Sequence, residues 1–178
     1  MQSIRLAGIV HDSLTNGEGL RRVFFSQGCD HNCKGCFNKH THSFNGGKIF
    51  DVSKLVLNVV EDPLIKGVTF SGGDPFQQAR PFMYMALYLR NRGINIWSYT
   101  GYTIEEILNS NDIFKKQLLA NIDVLVDGQY IEEYKVDGLK YRGSKNQRII
   151  DVQKTLITGK ITLLQYDNIG YLEEECGK

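Results

Sequence analysis

No apolar run in this sequence approaches the roughly 20 residues that a membrane-spanning helix requires. The start of the chain, Met1-Gln2-Ser3-Ile4-Arg5, lacks the apolar stretch of a secretory signal. An excess of one charge is missing too: 21 Lys and Arg stand against 20 Asp and Glu, a formal net charge of +1. Near-neutrality supplies no general attraction to nucleic acid or to anionic membrane, so neither is expected as a partner. There is no internal repeat, low-complexity tract or linker. The 178 residues suit a single domain, 1–178, in which 154–178 is set apart as a C-terminal tail of unassigned role. A composition of 42% hydrophobic and 23% charged residues is that of an ordinary globular chain. A cytoplasmic setting is expected, where thiols stay reduced.

Cysteine is sparse, with 4 in all, yet three of them fall in the string Cys29-Asp30-His31-Asn32-Cys33-Lys34-Gly35-Cys36, followed at once by Phe37-Asn38. Flanked by Asp, His, Asn and Lys, they do not read as buried core, and a disulfide framework belongs to small secreted chains. Thiolates are soft ligands for iron–sulfur clusters and for zinc. Three thiolates leave a four-position site incomplete, so either another residue completes it or a position stays open for substrate. A zinc-bearing interaction module of Cys3His type would take His31, His40 or His42 as its last ligand, although no second Cys-x-x-Cys is present. The remaining Cys176 is isolated beside Glu173-Glu174-Glu175; it reads as a free thiol next to a solvated acidic face.

Strand and helix signals alternate along the chain. Ile4–Val10 and Arg21–Phe25 read as strands separated by the turn residues Thr15–Gly19, and Ser43–Gly47 reads as irregular. A helix is expected from about Asp51 or Ser53 until Pro63 ends it, carrying Val52, Leu55, Val56 and Val59 on one face. Gly67–Ser71 reads as a buried strand. A helix opening near Pro81 and closing at Gly93 follows, with Phe82, Met85, Ala86 and Leu89 as a core stripe. Ile94–Tyr99 reads as a strand, and Thr103 with Glu106 forms a capping box for a further helix. More helix is expected around Ile113–Leu119 and a strand at Val124–Val126. Tyr141–Gln147 reads as loop, and Ile149-Ile150 and Ile161–Leu164 are weaker strand candidates. Such alternation predicts an α/β fold with a mostly parallel sheet and right-handed crossover helices. A closed eight-unit barrel takes about 250 residues, so only an incomplete barrel fits.

Four strings each follow an expected strand: the cysteine loop, Gly72-Gly73-Asp74, Thr100-Gly101-Tyr102 and Asp127-Gly128. Parallel α/β folds bind ligands at the carboxyl ends of their strands, so all four are expected at one mouth. Without Cβ atoms, Gly72 and Gly73 let backbone approach a ligand closely. Arg21, Arg22, Arg142 and Arg148 invite a nucleotide-binding reading, but solvated surface or carboxylate pairing is the simpler expectation.

The Cys-x3-Cys-x2-Cys spacing resembles that of the radical S-adenosylmethionine enzymes. The longer string from Gly28 to Asn38 resembles the branch that activates anaerobic ribonucleotide reductase. So do Trp97–Tyr102, Asp123–Gly128 and Arg142–Arg148, which extends the likeness over about Val10 to Ile150; Asn16-Gly17-Glu18-Gly19 departs from the usual Asn-Gly-Pro-Gly. The resemblance implies the incomplete (β/α) barrel of that superfamily. It implies one 4Fe–4S cluster per chain, held by Cys29, Cys33 and Cys36, with the open iron chelated by S-adenosylmethionine. Gly35, Cys36, Phe37, Asn38, Gly72, Gly73 and Asp74 would contact that ligand, Asp74 standing where many members carry Glu. No catalytic residue beyond the cluster ligands is implied. The expected reaction splits S-adenosylmethionine reductively and leaves a glycyl radical on the large subunit of the anaerobic reductase. A low-potential donor such as reduced flavodoxin would supply the electron. A different glycyl-radical enzyme or a small-molecule substrate remain alternatives within the same chemistry.

Overall fold

The structure is a computed structural model and describes residues 2–167. Cys176 and the Glu173–Glu175 run lie outside the described residues. Seven strands form one open sheet: β1 (Ser3–Ser13), β2 (Arg21–Ser26), β3 (Lys48–Asp51), β4 (Gly67–Gly72), β5 (Asn95–Tyr99), β6 (Val124–Asp127) and β7 (Arg148–Asp151), in the order β3-β1-β2-β4-β5-β6-β7. The central strands β2, β4, β5 and β6 are mutually parallel. Antiparallel strands flank them on both sides, β1 and β3 on one and β7 on the other. The fold is thus mixed α/β, and β3 and β7 remain separate edges.

Among the described residues, four helices lie between strands, α1 (Val52–Val60), α2 (Ala79–Arg90), α3 (Ile104–Asn109) and α4 (Ile113–Ala120), and a fifth, α5 (Val152–Thr158), follows β7. Their apolar stripes bury against one sheet face. Phe24, Val68, Phe70, Ile96, Leu125 and Ile150 pack there with Leu55, Val59, Phe82, Met85, Ile107, Leu118 and Val152. Successive strand residues point to opposite faces, so Arg21, Thr69, Trp97, Val124 and Val126 fall on the other one. Trp97 is buried there with Val124, Val126 and Ile149, covered by Tyr99, Tyr141, Leu164 and Tyr166. Fully buried Arg21 lies beneath, its guanidinium bonded to Thr69 Oγ1, Asn95 and the carbonyl of Val68, and stacked 5.5 Å from the Trp97 ring.

The local signals account for most boundaries. Asp51 caps α1, its carboxylate accepting from the Ser53 amide at 2.8 Å. The Thr103–Glu106 capping box forms with both of its bonds. A 3-10 turn over Pro75–Gln78 leads into α2, which begins at Ala79, before Pro81. Pro81 is tolerated in that first turn because the amide it lacks would have no helical partner.

Two elements depart from the sequence reading. β3 forms where the pattern suggested only irregular chain running into a helix, and α5 occupies the start of the stretch set apart as a tail from residue 154. From Lys154 to Asp167 this stretch is built into the fold. After α5 the chain crosses the Trp97 face, where it makes one bridge, Ile150 to Leu163, in place of the strand expected at Ile161–Leu164. The Tyr166 hydroxyl then donates to Glu18 at 3.0 Å in the β1–β2 loop, and Asp167 pairs with Arg142. No described helix is long and apolar enough to cross a membrane.

Candidate active site

The four parallel strands point the same way, so their carboxyl ends open at one mouth. A cavity of about 480 Å³ lies there, lined by Cys29, His31, Cys33, Cys36, Phe37, Asn38, His42, Gly72, Gly73, Thr100, Gly101 and Gly128, with Tyr99, Tyr130, Tyr141 and Arg142 among its walls. Each of the four strand-end strings therefore contributes to one site. The size suits a small-molecule ligand.

Backbone contacts place the cysteine loop. The Gly28 amide donates to Thr41 O at 2.7 Å and the Cys29 amide to His42 O at 3.0 Å, while the Asp74 amide donates to Gly28 O at 2.9 Å. A side chain on Gly73 would overlap the carbonyl of Gly28, and one on Gly72, at φ +94°, would press on the backbone of Phe25 and Ser26. Gly72 is thus required first for the close approach of β4 to the end of β2, and Gly73 for its approach to the cysteine loop. The sequence reading assigned their missing Cβ atoms to ligand approach alone.

Asp74 and Gly35, expected as ligand contacts, do not line the cavity. Asp74 is fully buried behind it. Its carboxylate accepts from the Phe76 and Gly101 amides at 2.8 and 3.0 Å, from Thr100 Oγ1 at 2.9 Å, and meets His31 Nε2 at 2.7 Å. One buried carboxylate thereby joins three of the strand-end strings, and burying it is tolerable because every side meets a donor. His31 lies against Gly101, where any Cβ would strike its ring, and edge-on to Tyr102 with centroids 4.6 Å apart. Burial opposes the charged form of His31, but the bond and charge of Asp74 outweigh it and hold the pKa above the ordinary value. Gly35 adopts φ +71° behind the loop, against Glu132.

Phe37 is 60% exposed at the rim, 4.9 Å from the Tyr130 ring, with Lys135 over its face. Asn38 turns its carbonyl to the Thr41 amide and hydroxyl. Asp127, in contrast to its neighbour Gly128, faces away from the cavity, pairing with Arg148 and capping α3 through the Ile104 amide at 2.8 Å. Solvated surface does not describe Arg21 and Arg22, which are buried; carboxylate pairing does hold for Arg22 with Asp62, Arg142 with Asp167 and Arg148 with Glu105 and Asp127. Sequence reasoning missed Gln78, whose amide nitrogen donates to the carbonyls of Arg5 and Gln27 and whose oxygen accepts from the Arg5 amide. Its one visible signal was an uncharged polar residue next to a buried helix start.

The donor set is of the soft thiolate kind that holds iron–sulfur clusters. Three thiols line the cavity, yet among the described residues no group of three His, Cys, Asp or Glu side chains converges as a one-metal site would require. Burial pushes the Cys29 thiol up to about 11 and raises Cys33 as well, so bound iron would have to displace their protons. Two nitrogens face the Cys36 sulfur, the Asn38 amide, which donates to it at 3.4 Å, and the ring nitrogen Nε2 of His42 at 3.3 Å.

Comparison with known proteins agrees with the donor set. The family described as "4Fe-4S single cluster domain" matches residues 15–150. The anaerobic ribonucleoside-triphosphate reductase-activating protein of Haemophilus influenzae is 38% identical over 142 residues, 75% of this chain and 89% of that protein. Its namesakes in Vibrio cholerae (38% identical; 76% of this chain, 90% of theirs) and Escherichia coli K12 (36%; 75% and 90%) are similar over the same span. Among solved structures, QueE from Escherichia coli is similar over 57% of this chain and 54% of its own, with a TM-score of 0.47 and 15% identity. With the cysteine loop, its spacing and the matched span together, the chain belongs to the family of anaerobic ribonucleoside-triphosphate reductase-activating proteins.

Proposed function

We propose that this chain is a radical S-adenosylmethionine activase whose target is the anaerobic ribonucleotide reductase, and that its open sheet is the incomplete barrel of that superfamily. The observation that carries the reading is the meeting of Cys29, Cys33 and Cys36 with the Gly72-Gly73 backbone around one cavity at the carboxyl ends of parallel strands. Cys29, Cys33 and Cys36 would hold the 4Fe–4S cluster. When bound, the cluster supplies one electron that splits S-adenosylmethionine into methionine and a 5′-deoxyadenosyl radical able to take hydrogen from a glycine. The remaining work belongs to the protein. Backbone of Gly72 and Gly73 would meet the methionyl end of the ligand. Phe37 and Asn38 would border the nucleoside end. Asp74 and Gly35 act from behind, fixing the loops that shape the cavity.

Partner choice follows from family membership and from the openness of the site. The cavity opens at the carboxyl ends of the parallel strands, and a docked protein would exclude water from that mouth. Strong reductant with S-adenosylmethionine alone should give slow, uncoupled cleavage. Adding the anaerobic reductase from the same source should produce a glycine-centred radical by electron paramagnetic resonance. That signal should vanish when the reductase's radical-bearing glycine is changed to alanine. A reductase that stays silent while another glycyl-radical enzyme acquires the signal would retain the chemistry and replace the partner.

A further inference from the structure

His42 touches two of the three cluster cysteines in different ways. It follows the 3-10 turn Lys39–Thr41, which Thr41 fixes by donating its hydroxyl to Asn38 O at 2.7 Å. From there its carbonyl receives the Cys29 amide at 3.0 Å, and its ring nitrogen Nε2 lies 3.3 Å from the sulfur of Cys36. A metal-bound thiolate carries no proton, so the nitrogen facing it must be the donor; either the Nε2–H tautomer or the imidazolium satisfies this. Among the described residues, Cys36 is the one cluster cysteine whose sulfur meets a side-chain donor. The adjacent His40 is exposed and makes no such contact.

We propose that His42 is a positioning residue that donates Nε2–H to the Cys36 thiolate and thereby makes the cluster easier to reduce. The inference rests on the cluster reading given above. A hydrogen bond to a ligand sulfur withdraws electron density and favours the more negative, reduced state. The step concerned is the uptake of one electron from an external reductant such as dithionite; no bond forms or breaks and no proton moves.

The test is an anaerobic redox titration of the reconstituted protein without S-adenosylmethionine, with iron and sulfide counted on each sample. His42→Leu should load the cluster and shift its one-electron equilibrium about threefold or more toward the oxidised form, a size set by ordinary charge-assisted bonds. His42→Gln, which keeps a donor of similar reach, and His40→Gln should stay close to the parent. A fully loaded His42→Leu protein with the parental midpoint overturns the proposal. Should His42→Leu fail to load, pulsed paramagnetic resonance of the reduced parent labelled with 15N-histidine decides: a weak histidine nitrogen coupling, lost in His42→Gln and kept in His40→Gln, supports the bond, and its absence from the parent overturns it. A parent protein that takes up no iron and sulfide overturns the cluster reading itself and this role with it, a failure distinct from an unshifted midpoint.

Discussion

Gly73 shows how one missing methyl group is used twice at the residue scale. Its Cα faces the cavity, while the space a Cβ would fill is taken by the Gly28 carbonyl one residue before Cys29. Gly73→Ala should therefore displace the cysteine loop and lower cluster content together with S-adenosylmethionine affinity, read by iron and sulfide analysis and equilibrium binding. Full iron with unchanged affinity would reject the backbone contact as a constraint. Replacing Cys29, Cys33 or Cys36 singly by Ala should abolish stable 4Fe–4S incorporation; Cys176→Ala should leave it intact, and a full cluster in Cys33→Ala would sink the ligand assignment. The cysteine spacing was legible because it is local in the chain. The partners of Asp74 were not, because His31 and Thr100 lie 43 and 26 residues away and only the fold brings them together. Gln78 belongs with them: Gln78→Leu would leave the Arg5 amide and the carbonyls of Arg5 and Gln27 without this partner, at about 2 kcal/mol by the usual penalty for unmet buried groups. A urea unfolding curve reads that loss, and an unchanged midpoint would rule it out.

Among the elements, α3, β6 and β7 are tied by one guanidinium. Arg148 in β7 reaches Asp127 at the end of β6 with Nε and Nη2, at 2.9 and 2.5 Å, and Glu105 in α3 with Nη1 and Nη2, at 3.0 and 2.6 Å. The hydrogen bonds from Arg148 hold the Glu105 carboxyl down at about 2, against an ordinary value of 4.5. A carboxyl depressed in the folded state stabilises the fold above its unfolded value and loses that contribution as pH falls through its folded value. Glu105→Gln should accordingly lower the urea midpoint near neutrality, and the gap from the parent should close as pH falls from about 4.5 toward about 2. A gap constant across that window would contradict the pairing. Elements with strong local signals were readable from sequence, the Thr103–Glu106 box among them. α5 was not, because Val152, Thr155, Ile157 and Thr158 are β-branched and poor helix formers. What holds it is context: the Asp151 cap, burial of Val152 and the left-handed Gly159 at its end. β3 was hidden for a similar reason, since four residues at a sheet edge carry too little alternation to be seen.

Across the whole molecule, helices shield one sheet face while aromatic side chains and the segment after α5 cover the other. Trp97 is the only tryptophan, 1% exposed and edge-on to Tyr141 with centroids 5.2 Å apart, with Tyr166 tilted at 5.7 Å. Tyr166→Ala should therefore red-shift the single-tryptophan emission and cost about 1 kcal/mol for the aromatic contacts; an unshifted spectrum would place the crossing segment elsewhere. The alternation that predicted parallel crossovers was legible at this scale, whereas the antiparallel flanks depend on pairings that no local pattern records. The parallel pairing of β2 with β4 also sets a timetable. The chain between these strands carries all three clustered cysteines, and parallel pairing brings together Arg21 with Gly67 and Ser26 with Gly72, each 46 residues apart. Long-range pairing of this kind waits on loop closure, whereas the β1–β2 hairpin closes locally. During refolding, then, the hairpin should form before the crossover closes, and a cluster held by these thiols should enter only after that closure.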